Sequence, residues 1–146
     1  MSARVHGGRS IVKRGLAQLE GSGSAAGATL LIYHRIGAGT QDELDVPKEQ
    51  FLAQLDALEG HDVVSLDSAL DRVDRLDRRP SVVLTFDDGF ADVYENAWPA
   101  LRERQVPFTI YLATAYMGER MVWEGSTAQG PHGTGMTWRQ LEEMLA

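Results

Sequence analysis

The 146 residues contain no cysteine, which excludes a disulfide framework, a thiolate nucleophile and a cysteine-held metal. Histidine is scarce. His6, His34, His61 and His132 are the four present, and no two stand four residues apart, so no His-x-x-x-His metal pair can be written. No apolar stretch approaches the roughly 20 residues that a membrane helix requires. A basic body is also missing: the net charge is −7, from 14 Lys and Arg against 21 Asp and Glu. Because nucleic-acid phosphates demand a positive face, a nucleic-acid partner is not expected. What is present is an ordinary globular composition, 43% hydrophobic and 24% charged, long enough for a real core and too apolar to stay disordered.

The charge is unevenly placed. Arg4, Arg9, Lys13 and Arg14 precede the first acid, Glu20. A basic start can open a signal peptide, but no apolar h-region follows, so we expect no export signal and leave the compartment open. The Gly, Ser and Ala run at 21–28 has linker composition. The expected division is a lead-in and linker over 1–28 and a folded domain over 29–146.

Within that domain, short apolar runs alternate with helical patterns. Strands are expected near 30–34, 63–66, 82–86 and 108–114. Residues 37–45 are expected to be polar loop. The first helix should follow Pro47, with Phe51, Leu52, Leu55 and Leu58 inward and Gly60 as its stop. Asp67 is the expected N-cap of a second helix that turns Leu70, Val73 and Leu76 to the core. Its acid and arginine alternation over 71–78 reads as a solvated face. A third helical stretch, with Val93, Tyr94, Ala97, Trp98 and Leu101 inward, should break at Pro99. Thr137 to Gln140 has the capping-box pattern of a last helix, with Trp138, Leu141, Met144 and Leu145 on its apolar face. This order, without a hairpin signal, predicts a parallel α/β sheet of about four βα units. A full (β/α)₈ barrel takes about 250 residues, so the expected fold is a partial, truncated barrel or a small open sheet.

In parallel α/β folds chemistry gathers at the carboxyl ends of strands. After the third strand stands Thr85-Phe86-Asp87-Asp88-Gly89-Phe90. One carboxylate of such a pair can ligate a divalent cation while the other takes a proton from water. An Asp-Asp-Gly turn with no chemistry satisfies the same pattern, and on pattern alone the two readings stay level.

The whole string resembles the first signature of the polysaccharide deacetylases (carbohydrate esterase family 4, the NodB-homology domain). Leu31-Ile32-Tyr33-His34-Arg35-Ile36 is similar to the Tyr-His segment of exopolysaccharide-deacetylase members. Residues 51–55 with 63–66, 106–112 and 136–144 resemble the family's following elements, so the likeness runs over 30–146. It implies the (β/α) barrel of that family and hydrolysis of N-acetyl or O-acetyl groups on a polysaccharide. It also implies Asp87 as general base, Asp88 as ligand to a divalent metal (zinc as a rule), and an acetylated polysaccharide or oligosaccharide as partner.

The departures carry equal weight. The family's two histidine ligands, its arginine near the base and its histidine acid come from later motifs that this sequence does not contain. One carboxylate cannot hold a catalytic zinc, which takes three protein ligands. The 146 residues thus read as the N-terminal half of such an enzyme, expected to be inactive alone, to bind zinc weakly and to self-associate through uncovered edges. His34, at the end of strand one, and Trp123 are candidate substrate contacts, with a structural histidine and a core-packed tryptophan as the plainer alternatives. Glu124 beside Trp123 is a possible acceptor, while His6, His61 and His132 read as surface residues. Haloacid-dehalogenase-like phosphatases space their two aspartates by one residue, unlike 87 and 88. A non-catalytic carbohydrate- or partner-binding module of degenerate deacetylase origin is the second reading.

Overall fold

The computed structural model describes residues 26–122 and 133–146. Three strands form a parallel sheet in the order β1 (Ala28–Tyr33), β4 (Ser81–Phe86), β5 (Phe108–Ile110). Register runs Ala28 to Ser81 through Tyr33 to Phe86 on one side of β4, and Leu84 to Phe108 through Phe86 to Ile110 on the other. The parallel α/β architecture is therefore as expected, and among the described residues the sheet is not closed. All six residues of β4 are buried, as its unbroken apolar run requires for a strand covered on both faces.

Two strand expectations need correction. Residues 63–66 do not form the expected strand. Val63 makes a single parallel bridge to Val82, on the edge of β4 that faces β5, while β1 pairs along the other edge. Two backbone bonds hold that bridge, from Val64 to the Val82 carbonyl and from Val82 to the Asp62 carbonyl. The fourth strand is likewise shorter than expected, ending at Ile110 before a 3₁₀ turn at Thr114–Tyr116. A further parallel pair, β2 (Arg35–Ile36) with β3 (Asp45–Val46), flanks the expected loop and takes in only its last residue, Asp45. Two-residue strands carry too little periodicity to be read beforehand.

Helix α1 (Lys48–Ala57) follows Pro47, whose missing N–H costs nothing at a helix start. Its Phe51 and Leu55 join Tyr33, Leu84, Phe86, Val93, Ala97 and Leu101 in the main core. Tyr33 stacks on Phe86 with ring centroids 5.3 Å apart, and Phe51 and Phe108 meet Phe86 edge-on. Helix α3 (Trp98–Glu103) is entered through a π turn at Val93–Ala97. Pro99 explains the wide turn: its ring would clash with the carbonyl four residues back, and the Trp98 amide instead reaches the Val93 carbonyl. Helix α4 (Trp138–Leu145) opens with the expected capping box between Thr137 and Gln140.

Helix α2 (Leu66–Asp74) departs most. Ser65, not Asp67, is its N-cap, accepting from the Ser68 amide. Its expected inward face is outward: Leu70, Val73 and Leu76 are exposed, and Ala69 is the buried residue, packed with Val64 and Val83. Trp138 and Leu145 of α4 are exposed as well, leaving Leu141 and Met144 to pack on the core. On β1, alternate residues Leu30 and Ile32 are 48% and 61% exposed. These side chains share the sheet face opposite the aromatic core; on β4 the same face, Ser81, Val83 and Thr85, is buried.

Candidate active site at the carboxyl end of the sheet

The register of β1 on β4 sets the site. With Tyr33 opposite Phe86, the next residues, His34 and Asp87, leave the sheet side by side. The Asp87 amide donates to the Tyr33 carbonyl at 2.8 Å, and His34 Nε2 lies 3.9 Å from Asp87 Oδ2, both side chains partly exposed. Asp88 follows in a three-residue turn closed by the Gly89 amide on the Asp87 carbonyl at 2.8 Å. Its φ of +68° is a conformation that non-glycine residues avoid, at a cost of about 1–3 kcal/mol. Gly89 is also left-handed, at +74°, and a Cβ there would lie 2.6 Å from Leu112 Cδ2. Glycine is thus needed twice over.

The strained turn is held from several sides. Its Asp88 carbonyl accepts from Ala113 and its Gly89 carbonyl from Met136, while the Ala91 amide donates to Thr134. Phe90 bridges Gly135 in antiparallel fashion. Gly135 has no room for a side chain, because a Cβ would meet the Tyr116 carbonyl oxygen at 2.3 Å. Burial raises the Asp88 pKa, opposed by the nearby His34 and reinforced by the charge of Asp87. A carboxyl whose charged form burial disfavours gains from a cation or donor placed beside it, which suits ligation.

The structure therefore brings three of the sequence candidates, Asp87, Asp88 and His34, to one rim. Trp123, Glu124, His132 and His6 lie outside the described residues. His61 is exposed and sits at the opposite end of the sheet, just before the Val63 bridge. Sequence reasoning missed Arg35 and Asp92. Both are fully buried, with Arg35 Nε donating to Asp92 Oδ2 at 2.9 Å and Nη2 the same distance from that oxygen. Asp92 Oδ1 accepts the Ile36 amide at 3.0 Å, and the guanidinium lies 4.7 Å over the Phe90 ring. Burial raises the Asp92 pKa, while the Ile36 amide and Arg35 lower it. No spacing rule joins residues 57 positions apart, so nothing in the sequence flags them.

Asp88 and His34 are the side chains of this rim that could donate to a metal. Among the described residues no group of three His, Cys, Asp or Glu side chains is placed to hold a metal ion. Asp88 and His34 make two donors at most, short of the three that a catalytic zinc takes from protein. The described residues alone do not fit a closed metal centre.

The polysaccharide deacetylase family model matches residues 74–146, and the chain belongs to that family. It is 32% identical over 96 residues to the Bacillus subtilis (strain 168) protein YxkH, a polysaccharide deacetylase by name, covering 62% of this chain and 33% of that one. Among solved structures, IcaB from Ammonifex degensii superposes with a TM-score of 0.67 at 30% identity, over 84% of this chain and 49% of that one. The Streptococcus pyogenes deacetylase PplD, solved with acetate, gives 0.62 at 24% identity, over 83% and 53% respectively, a likeness of fold. The chain spans about a third of the curated relative and half of the structural ones. No helix among the described residues is long and apolar enough to cross a membrane.

Proposed function

We propose that the rim formed by Asp87, Asp88 and His34 is the reaction centre of a polysaccharide deacetylase that hydrolyses N-acetyl or O-acetyl groups on a sugar polymer. The observation that carries this reading is the 3.9 Å approach of His34 to Asp87 beside the strained Asp88. Asp87 is the general base, because its partly exposed carboxylate can take the proton of an attacking water. His34, 3.9 Å from that carboxylate, is proposed as a substrate contact beside it. Asp88 would give one carboxylate to a divalent metal, zinc as a rule in this family, whose part is to polarise the acetyl carbonyl. The other donors would come from outside the described residues, as part of a (β/α) barrel that these elements only begin. We expect the 146 residues alone to bind zinc weakly and to turn over no substrate. Trp123 is proposed as a sugar contact.

The shortfall of metal donors favours a second reading, a non-catalytic module that binds carbohydrate or a partner. One experiment separates them. Residues 1–146 are joined to the part of the Ammonifex degensii IcaB chain that lies outside the match, and amine release from acetylated chito-oligosaccharides is followed with zinc present. The enzyme reading expects turnover that Asp87→Asn removes and zinc binding that Asp88→Ala removes. Oligosaccharide binding with no turnover in any variant would support the module instead.

A further inference from the structure

The strongest unassigned feature of the molecule is the buried Arg35–Asp92 pair, which no step above uses. Arg35 directly follows His34, and Asp92 lies four residues beyond Asp88. One end of the pair thus belongs to the segment leaving β1 and the other to the turn leaving β4. We propose that Arg35 and Asp92 are positioning residues that clamp these two segments together and so hold His34 against Asp87. This rests on the reading of the rim as a reaction centre.

The geometry fits a clamp better than a packing accident. Asp92 uses both oxygens across the gap, Oδ2 for the Arg35 side chain and Oδ1 for the Ile36 amide. The guanidinium plane also covers Phe90, which sits between the Asp-Asp pair and Asp92. Asn96 adds a third tie by donating to the Ile36 carbonyl at 2.8 Å, and the Gly37 amide adds a fourth on Val46. Every tie holds the β1 exit, and none touches His34, Asp87 or Asp88. A buried pair is costly to desolvate and is often replaceable by apolar side chains without loss of stability. Stability alone therefore gives little reason for it, whereas fixed geometry at a strained rim does.

The test reads geometry and not turnover, so failure of the deacetylase reading would leave it decidable. Backbone amide exchange is measured residue by residue on the 146-residue chain, comparing wild type with Arg35→Met/Asp92→Leu, which removes both charges together. The clamp predicts exchange faster by about 30-fold or more at Asp87, Gly89 and Ala113, whose hydrogen bonds do not involve the pair. Val83 and Leu84, at the centre of β4, should stay within about threefold, since local opening is separable from global opening. Equal acceleration at all five amides, or none at any, would overturn the clamp and leave the pair a general support. Should the double variant fail to fold, Arg35→Lys decides. It keeps the charge but loses the planar guanidinium, and the clamp predicts the same selective pattern at smaller amplitude. An unchanged rim in Arg35→Lys would overturn it.

Discussion

Two short segments of this chain each carry three aspartates, and they behave in opposite ways. Asp71, Asp74 and Asp77 lie on and just beyond α2. Asp77 is held down to about 2 by hydrogen bonds from Arg79, a surface arrangement that salt screens. Asp87, Asp88 and Asp92 follow β4, where burial pushes Asp88 and Asp92 upward. The pH signs are opposite. The favourable contribution of Asp77 is lost as pH falls from the ordinary carboxylate range toward 2, whereas Asp88 and Asp92 favour the fold less as pH rises above that range. A run of acids says little by itself. Its place in the fold, on a solvated helix or at the carboxyl end of a buried strand, decides which way its acids titrate.

Replacing one residue in each segment should widen that contrast. The largest effect is expected for Asp92→Ala, which strands the Arg35 charge in the core and should cost about 3–5 kcal/mol. Asp71→Ala should stay within about 0.5 kcal/mol, both read by urea unfolding. Comparable losses would break the comparison.

Tyr33, beneath the rim, comes next. Its hydroxyl donates to Gln54 Oε1 at 3.0 Å, and burial pushes its pKa to about 12. Because the unfolded phenol ionises near 10, stability should fall as pH rises from about 10 and level off near 12, by about 2–3 kcal/mol in all. Tyr33→Phe should remove that limb from the alkaline unfolding curve. Gly89→Ala should cost about 1–3 kcal/mol through its positive φ and the close Leu112 methyl. A neutral substitution would mean the turn relaxes freely.

The smallest effect has the opposite sign. Asp88→Asn should stabilise the fold slightly at neutral pH, read by urea unfolding, since asparagine tolerates the left-handed backbone and carries no charge to desolvate. Stability gained where a proposed function is lost is the mark of a site retained for its chemistry.

The same contrast shows what could be read from the sequence. The β4 strand, its Asp-Asp-Gly exit and the Tyr-His segment were legible because an unbroken apolar run and a local turn are short-range signals. A break near Pro99 was legible for the same reason, though not its form, a π turn at Val93–Ala97. The direct pairing of β1 with β4, and with it the meeting of His34 and Asp87, was not, because register between distant strands leaves no local trace. The face of α2 was misread since Leu70, Val73 and Leu76 recur with a core-like period, yet the described residues offer them nothing to pack against. Arg35 and Asp92 were invisible for the reason given above: each looks like a surface charge until the fold closes over both.

The most direct test of the central claim compares the two acidic segments in one assay. In the protein joined to the remainder of the IcaB chain, amine release is measured for Asp87→Asn and Asp71→Asn against the parent. The account predicts a loss of at least about 100-fold for Asp87→Asn, the usual worth of a general base, and less than a twofold change for Asp71→Asn. Equal rates in the two variants would contradict it.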